Sequence, residues 1–497
     1  MRIESVAIIG AGTMGNGIAY ATALGGYRVT LYDVAPEFVQ RGIERIHQNL
    51  AEGVARKKLD AAAADDAKER IHATCELAAA VQCDLIIEAA PEQLELKRQL
   101  FGQLDAHAPA SAIFASNTSS LSISVMASAT QRADRFVGLH FFNPAHLMPL
   151  VEIVRGDATS AETVNAAAAF VARLKKTAVL CKDTPAFIVN RVARPFYGEA
   201  LRLLGEGAAD AATLDALMES IGFKMGPQIS PASDSAPDGR KRLARSQNWT
   251  RLLFVRIKPQ ADLFVRMKIL LVGVNALSEP LAAMCERGGH AVARWETEKF
   301  LAARTIPPHE IFIEVETTAL EKKRAVLERA AEDALLFLCA LNASVTVAAS
   351  WVQNPARVVG FGALPPLAAN GTIELARGLQ TAEPSWERAQ NFWRALGQNV
   401  VAVADSAGLA RARIVCCIIN EAFSALQEKI ASAHDIDVAL KLGVNYPQGP
   451  FAWGDLIGLD TVLGVMEGLY AEWRDDRYRP APLLRHYALA RQVPVRS

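Results

Sequence analysis

The chain lacks the features that mark several classes of protein. Its seven cysteines include no Cys-x-x-Cys pair, so neither a disulfide framework nor a thiolate metal site is indicated, and we expect reduced thiols. No group of histidines, cysteines and carboxylates has the spacing of metal ligands, so we expect no metal. The formal net charge is zero, which gives no general attraction to nucleic acid or to an acidic membrane surface.

Long hydrophobic runs are missing as well. We find no apolar segment of transmembrane length and no signal peptide before the first predicted strand. The expectation is a cytoplasmic protein with no membrane and no nucleic-acid partner. What the chain does have is apolar sequence in short segments, 51% of its 497 residues, which is enough for the cores of two to four domains.

The most informative segment is the N-terminus. Residues 5–9 read as a buried strand, a Gly-x-Gly-x-x-Gly motif follows, and a helix opens directly after it; this order is typical of a dinucleotide-binding turn. Gly10 permits the tight turn, Gly12 lets the backbone approach a pyrophosphate, and Gly15 lets helix and strand pack closely. The second strand ends in Asp33, whose carboxylate suits ribose hydroxyls and repels a 2′-phosphate, so we predict NAD rather than NADP. The cofactor residues predicted in this loop are Gly10, Gly12, Thr13, Met14 and Gly15.

The order of strands and helices predicts an α/β fold with a parallel sheet. The clear predicted strands of the first half are 5–9, 28–32, 85–88, 113–116, 136–140 and 151–154. We expect a Rossmann-like doubly wound sheet followed by an α-helical domain, and then a degenerate second copy of the same arrangement. Between the copies lies a stretch rich in Ser, Pro and Asp and then in Arg and Lys, which we interpret as a solvated linker rather than a nucleic-acid patch. The predicted division is an NAD-binding domain over 1–183, a truncated helical domain over 184–227, an atypical basic linker over 228–266, a degenerate Rossmann-like domain over 267–404 and a second helical domain over 405–497.

The second copy is recognised by a fixed offset. Three pairs of matching positions each lie 222 residues apart: Gly138 and Gly360, Glu152 and Glu374, Asp183 and Asp405. Such a constant spacing at separated positions indicates an internal repeat. The repeat lacks the residues that the site chemistry needs. Its first strand runs into Gly-Val-Asn-Ala-Leu-Ser, without the second and third glycines of the motif, and a glycine stands where the first copy has a histidine. We therefore predict that the second half binds no dinucleotide.

His140 is the candidate base. It ends a predicted strand, and ligands of open α/β sheets gather at the carboxyl ends of strands. A histidine there can take a hydroxyl proton near neutral pH, and Glu152 on the next strand can fix its tautomer. A hydrogen-bonded structural histidine is the alternative.

Other polar groups stand near predicted strand or helix ends. Ser119 lies in a polar segment after a strand and can hold a substrate oxygen or the nicotinamide, although an ordinary polar turn explains the segment as well. Asn190 lies on a long apolar helix that we predict over 188–204, and its amide needs partners there. Lys57 belongs to a basic cluster that can meet the phosphates of coenzyme A or simply form a solvated helix end.

Taken together, these motifs resemble the L-3-hydroxyacyl-CoA dehydrogenases. The similarity runs nearly unbroken from residue 1 to Pro227, and the two-copy length resembles the bacterial 3-hydroxybutyryl-CoA and 3-hydroxyadipyl-CoA dehydrogenases of phenylacetate degradation. The segments that carry it are GAGTMGNGIA from Gly10, Asp33, APE at Ala90–Glu92, SNTSSLSI from Ser116, GLHFFNP from Gly138, Val151–Ile153 and KDTPAFIVNRV from Lys182.

The resemblance implies an enzyme and a role for each site residue. His140 is the general base and Glu152 its partner, while Ser119 and Asn190 complete the catalytic set. The implied reaction is the NAD-dependent oxidation of an (S)-3-hydroxyacyl-CoA thioester to the 3-oxoacyl-CoA, by a homodimer. The implied cofactor residues beyond the loop are Asp33, Ala89, Glu92, Lys97, Asn117, Ser119 and Asn143, and the implied substrate residues are Ser119, Asn143, Asn190 and Lys57.

One departure from the family pattern bears on activity. After Pro227 the first helical domain runs into the basic stretch instead of the helices that the family has there, and we interpret this as a truncation from replaced or frame-shifted coding sequence. The second copy can substitute for the missing helices. Two alternatives stay open: a catalytically impaired NAD-binding homologue, and a dehydrogenase of free 3-hydroxy acids.

Overall fold

The computed structural model describes residues 2–227 and 266–490. The predicted linker over 228–266 therefore lies almost wholly outside the described residues. The predicted truncation after Pro227 falls in the same segment, so it also lies outside them. The described residues form two compact units. The first unit contains residues 2–195, 418–455 and 481–490, and the second contains the described residues within 196–417 together with 456–480. The domain boundaries set out above stay predictions.

An eight-stranded sheet forms the centre of the first unit, in the order β3-β2-β1-β4-β5-β6-β7-β8. Its inner strands β1 and β4 to β7 are almost wholly buried because helices cover both faces, which is why they read as continuous apolar runs. The strands are β1 Ser5–Ile9, β2 Arg28–Tyr32, β3 Ile71–Thr74, β4 Leu85–Glu88, β5 Ile113–Ser116, β6 Phe136–Phe141, β7 Leu150–Arg155 and β8 Thr177–Lys182.

One pair in this sheet differs from the parallel arrangement that the sequence predicts. β6 and β7 are antiparallel, with His140 opposite Glu152. The connection over 142–149 is too short for the crossover of a dozen or more residues that parallel neighbours need, so the chain turns back directly. This reversal brings the candidate base and its predicted partner face to face.

The second unit is built around a seven-stranded sheet in the order β10-β9-β11-β12-β13-β14-β15. It repeats the first sheet, including the antiparallel pair, in which Gly362 stands opposite Glu374. Its strands are β9 Lys268–Val272, β10 Ala291–Trp295, β11 Ile311–Glu314, β12 Leu335–Cys339, β13 Val358–Gly362, β14 Thr372–Arg377 and β15 Asn399–Val403.

Helices connect the strands in both parts of the chain. Those described up to residue 227 are Thr13–Leu24, Pro36–Ala55, Ala61–Glu69, Leu77–Ala80, Leu94–His107, Ile123–Ala127, Ala161–Arg173, Val189–Val192, Arg194–Gly205 and Ala211–Glu219, with a 3₁₀ turn over Ala133–Arg135. Those described from 266 onward are Ser278–Arg287, Thr297–Ala302, Leu320–Glu328, Val345–Ala349, Glu383–Ala395, Arg411–Gln427, Ala433–Gly443, Pro450–Ile457, Leu459–Trp473 and Pro482–Ala490, with 3₁₀ turns over Pro355–Arg357 and Asp476–Tyr478.

Helical segments from late in the chain belong to the first unit. The helix Ala433–Gly443 packs against β7, β8 and the helix Val189–Val192. Gly443 sits so close to Val189 and Leu150 that a Cβ there would lie 2.9 Å from each side chain. Polar contacts reinforce the packing: the N–H of Lys182 donates to the carbonyl of Ile430 at 2.9 Å. The helical part that accompanies the first sheet is thus drawn from two distant segments.

Candidate active site

A cavity of about 320 Å³ opens at the carboxyl ends of the central strands of the first sheet. It lies where β1, β4, β5 and β6 end, the position at which open α/β sheets bind their ligands. Its lining contains many of the predicted site residues, namely Met14, Ala89, Glu92, Lys97, Asn117, Ser119, His140, Asn143 and Asn190, together with Ala90, Phe141 and Phe142, which were not predicted.

His140 and Glu152 form a buried pair at this cavity. The Nδ1 of His140 lies 2.6 Å from Oε2 of Glu152, and the two residues are 6% and 0% exposed. An ionised carboxylate accepts hydrogen bonds only, so Nδ1 donates to Glu152, and in the neutral imidazole Nε2 is then the acceptor. The ring of Phe142 packs against the imidazole, with ring centroids 4.5 Å apart. The pair can therefore hold a neutral imidazole in one orientation, ready to accept a proton.

The other oxygen of Glu152 is bound as well. Its Oε1 accepts the N–H groups of Ile188 at 3.1 Å and Val189 at 2.9 Å. These are the free donors at the start of the helix Val189–Val192, where a negative charge is favourable. One carboxylate thus ties the histidine strand to the start of the helix that carries Asn190.

Glu92 organises the polar turn after β5. Its Oε1 accepts the hydroxyl of Thr118 at 2.6 Å and the N–H of Ser119 at 2.8 Å. The Nζ of Lys97 lies 3.3 Å from its Oε2. Burial raises the pKa of Glu92, but the bonds from Thr118 and Ser119 and the charge of Lys97 outweigh it, and the net pKa is lowered. The Ser119 carbonyl accepts a long bond of 3.4 Å from the amide of Asn190, so this turn and the helix meet at the cavity.

Sequence reasoning missed the carboxylate beneath this turn. Glu88 is fully buried at the end of β4, and it binds Lys97 Nζ at 2.5 Å and the hydroxyl of Ser116 at 2.6 Å. The signal for it is an acid that ends an otherwise apolar strand, Leu-Ile-Ile-Glu, with a lysine on the following helix. The predicted cofactor residue Lys97 is therefore held by two carboxylates.

The glycine loop has the shape that a dinucleotide requires. Gly10 has φ +111°, and a Cβ there would lie 2.7 Å from the carbonyl oxygen of Ala89, whereas a Cβ on Gly12 would meet no atom within 4 Å. The space above Gly12 is therefore open to a ligand at the start of the helix Thr13–Leu24. The Asp33 carboxylate lies beside this loop, where it accepts the N–H of Ala11 at 2.8 Å. The residues present fit NAD.

The remaining predicted residues are placed as follows. The amide oxygen of Asn117 accepts the N–H of Phe141 at 2.9 Å, and Asn143 lines the cavity. Lys57 lies apart from the cavity lining, exposed in the turn after the helix Pro36–Ala55, with φ +56°. The contact predicted for Lys57, with the phosphates of coenzyme A, would therefore be made outside the cavity.

The second unit repeats the framework of this site without its chemistry. Glu374 accepts the N–H groups of Ala410 at 3.0 Å and Arg411 at 3.1 Å, just as Glu152 binds its helix start. Gly362 replaces the histidine, and the guanidinium of Arg411 bonds the free carboxylate oxygen at 2.9 Å. At the same offset of 222, Leu341 stands for Ser119, Pro365 for Asn143 and Ala412 for Asn190.

The space at the carboxyl ends of the second sheet is filled. The cavity there measures only about 10 Å³ and includes Ile457 and Thr461 in its lining. The helix Leu459–Trp473 lies across the ends of the strands, where a Cβ on Gly464 would be 2.0 Å from the carbonyl oxygen of Thr317. Within residues 2–227 and 266–490 we find no cluster of possible metal ligands and no helix long and apolar enough to cross a membrane.

Comparison with known proteins identifies the class. Residues 5–184 match the family model described as 3-hydroxyacyl-CoA dehydrogenase, NAD binding domain, and residues 187–233 with 408–497 match the model described as 3-hydroxyacyl-CoA dehydrogenase, C-terminal domain. The fold and the site thus define an NAD-dependent oxidoreductase that acts on a CH–OH group. The two ranges matched by the second model contain the helical segments 187–195 and 418–455 of the first unit, together with residues of the second unit.

Individual relatives match the chain over about half of its length or over nearly all of it. The chain is 34% identical over 493 residues to the 3-hydroxyadipyl-CoA dehydrogenase of Escherichia coli (strain K12), covering 98% of both chains. It is 45% identical over 226 residues to the 3-hydroxybutyryl-CoA dehydrogenase of Bradyrhizobium diazoefficiens, which is 45% of this chain and 77% of that one. The crystal structure of 3-hydroxybutyryl-CoA dehydrogenase from Escherichia coli K12 superimposes with a TM-score of 0.74 at 31% identity, covering 99% of each chain. The chain belongs to the 3-hydroxyacyl-CoA dehydrogenase family.

Proposed function

We propose that the chain oxidises (S)-3-hydroxyacyl-CoA thioesters to 3-oxoacyl-CoA, with His140 as the general base and Glu152 as its partner. The observation that carries this proposal is the buried bond of 2.6 Å between His140 Nδ1 and Glu152, at a cavity that Ser119 and Asn190 also line. A histidine with one nitrogen fixed and the other facing a substrate cavity is suited to take a hydroxyl proton.

Each residue at the cavity has a separate role in the proposed reaction. The Nε2 of His140 takes the proton of the substrate hydroxyl, and the charge that develops on the imidazole is stabilised by Glu152, whose position the helix N–H groups fix. The Ser119 hydroxyl and the Asn190 amide hold the substrate oxygens, so that the hydroxyl points at Nε2. NAD, when bound, supplies the acceptor for the hydride that leaves the hydroxyl carbon.

The cofactor is held by the groups around the glycine loop. Gly12 leaves room for the pyrophosphate at the start of the helix Thr13–Leu24, and Asp33 accepts the ribose hydroxyls. Residues at the carboxyl ends of β4, β5 and β6 line the nicotinamide side, namely Ala89, Glu92, Lys97, Asn117 and Asn143.

Three finer statements belong to the same proposal. The helices drawn from the end of the chain complete the first helical domain, so that the interruption after Pro227 leaves the enzyme active. Lys57 contacts the phosphates of coenzyme A. The enzyme works as a homodimer in the cytoplasm.

The test is NADH formation by the purified full chain with NAD and (S)-3-hydroxybutyryl-CoA, followed by the free 3-hydroxy acid. We expect turnover of the thioester only. His140→Ala should lower kcat by about 10²–10⁴-fold, the usual contribution of a general base, while NAD binding measured by fluorescence is kept. Full activity of His140→Ala would reject the assigned base. NAD binding without turnover in the wild-type chain would instead indicate an impaired homologue.

A further inference from the structure

Asn190 and Arg194 lie one helical turn apart on the exposed side of one helical path. Ala193, between the helices Val189–Val192 and Arg194–Gly205, itself has right-handed helical dihedrals (φ −78°, ψ −14°). Side chains four residues apart on a helix are neighbours, with Cβ atoms about 5–6 Å apart. Both residues are exposed, and Asn190 lines the cavity beside His140. Arg194 is therefore the next side chain outward from the cavity on this face.

Within residues 2–227 and 266–490, no group neutralises the charge of Arg194, whereas Lys97 and Arg191 are both paired with carboxylates. Lys97 is bonded to Glu88 and lies close to Glu92. The guanidinium of Arg191 contacts Glu421 at 2.6 Å and Glu428 at 2.7 Å. For Arg194, in contrast, the described parts of the chain provide no hydrogen bond and no ion pair. A free guanidinium presents a planar set of donors that matches a carboxylate in a bidentate pair.

We propose that Arg194 determines specificity by binding a carboxylate at the far end of the acyl chain. The preferred substrates are then dicarboxylic 3-hydroxyacyl-CoA thioesters, a narrowing that rests on the function proposed above. In a six-carbon dicarboxylic chain, the terminal carboxylate lies three carbons beyond the hydroxyl carbon. The backbone of Arg194 lies ~6 Å beyond Asn190 along the helix, and its long side chain covers the remaining distance.

A comparison of two substrates with equal numbers of acyl carbons isolates this contact. We would measure kcat/KM for (S)-3-hydroxyadipyl-CoA, which ends in a carboxylate, and (S)-3-hydroxyhexanoyl-CoA, which ends in a methyl group. The wild-type chain should prefer the adipyl ester. Arg194→Leu should lower kcat/KM for that ester by about 10- to 100-fold, the loss expected for a charge-assisted hydrogen bond, and leave the hexanoyl ester within about twofold. Arg194→Lys should retain part of the preference, since it keeps the charge but not the planar pair.

The controls separate the possible failures. Arg202→Leu removes an exposed arginine two turns further along the same helix. This variant should leave kcat/KM unchanged for both esters. An equal fall for both esters in Arg194→Leu would overturn the proposal, because it would indicate contact with the coenzyme A phosphates or a structural role. An unchanged preference would overturn it as well. A wild-type chain that oxidises neither ester would reject the proposed function itself.

Discussion

At the scale of single residues, Glu152 makes two kinds of contact, one with the N–H groups at a helix start and one with His140. Its counterpart Glu374 in the second copy makes only the first kind. Both Glu152 and Glu374 receive two N–H groups at the start of a helix, but only Glu152 has a histidine as its third partner. Glu374 binds Arg411 instead. The shared contacts are therefore structural, and the contact with the imidazole is the part that the proposed reaction requires.

We expect Glu152→Gln to lower kcat strongly while the protein stays folded. The glutamine oxygen can keep the helix N–H bonds, but its amide cannot stabilise a charged imidazole or fix the tautomer, so a loss of about 10²–10⁴-fold is expected. The matched control is Glu374→Gln, which should lower the melting temperature without lowering kcat. Steady-state kinetics gives kcat and thermal unfolding gives the melting temperature of the two variants. Similar kcat values for both would show that Glu152 does not orient the base.

A second prediction at this scale concerns pH. Burial lowers the pKa of Lys176 from 10.5 to about 8, and its Nζ donates to the carbonyl of Met148 at 2.6 Å. Between these two pH values the unfolded chain binds more protons, so Lys176 makes wild-type stability rise with pH across that window. Lys176→Met removes this contribution to the pH dependence of stability. The variant's stability relative to wild type should be highest below pH 8 and should fall as the pH approaches 10.5, measured by urea unfolding. Parallel curves for both proteins would contradict the shift.

Sequence patterns identified Ser119 and His140 because they lie at or just after the end of a short apolar strand, whereas Lys97 was implied only by the family resemblance. Glu88 was missed because a buried acid at a strand end looks like the first polar residue of a loop. Its partners, Lys97 and Ser116, lie on other elements, so the network became visible only when the strands were placed side by side. Arg194 was missed because only the structure shows that it lies one helical turn from a residue that lines the cavity.

At the scale of elements, the strongest strands were predicted well and the edges less so. β8 was missed because it is an edge strand that begins with Thr and ends with Lys and is only half buried. The helix predicted over 188–204 is interrupted at Ala193, just before Pro195, which lacks an N–H and fits only the first turn of a new helix. The helices that pack on β8 come from beyond residue 417, and no local pattern predicts such a distant contact.

The glycine loop leads to a prediction that separates folding from binding. A Cβ on Gly12 meets no atom within 4 Å, while a Cβ on Gly15 would lie 1.7 Å from the carbonyl oxygen of Gly10. Gly12→Ala should therefore leave the free energy of unfolding within ~0.5 kcal/mol but raise KM for NAD by about tenfold or more, equivalent to ~1.4 kcal/mol. Gly15→Ala should destabilise the fold by at least ~1–3 kcal/mol. Urea unfolding and NAD titration of both variants would test this; normal NAD binding by Gly12→Ala would show that the pyrophosphate lies elsewhere.

At the scale of the whole molecule, one chain contains two copies of the same framework, and the two differ in the space left at the carboxyl ends of their strands. The first copy keeps an open cavity of about 320 Å³, and the second keeps about 10 Å³. The buried pairs that stabilise the framework are retained in both: Glu88 with Lys97 corresponds to Glu314 with Lys323. The second copy thus contains the buried pair of the framework but has a glycine in place of the histidine.

We therefore expect one NAD bound per chain. In the second unit, the side chain of Asn275 occupies the turn after β9, where it donates to the carbonyl of Val315 at 2.7 Å and accepts the N–H of Leu277 at 2.8 Å. Gly464 brings the helix Leu459–Trp473 against the strand ends, so a dinucleotide meets both a filled turn and a filled crevice. Isothermal titration of the full chain with NAD should give a single class of sites with one NAD per chain.

The Gly12→Ala variant decides whether that site lies in the first copy. If it does, the variant should weaken all of the binding, because no second site remains to take up NAD. Two NAD per chain in the wild type, or one tight site left in the variant, would mean that the helix over the second sheet moves away in solution. In that event Gly464→Ala should loosen the helix and strengthen binding at the second site, since its Cβ would lie 2.0 Å from the carbonyl oxygen of Thr317. A single site that disappears in Gly12→Ala and is unaffected by Gly464→Ala would assign all cofactor binding to the first copy.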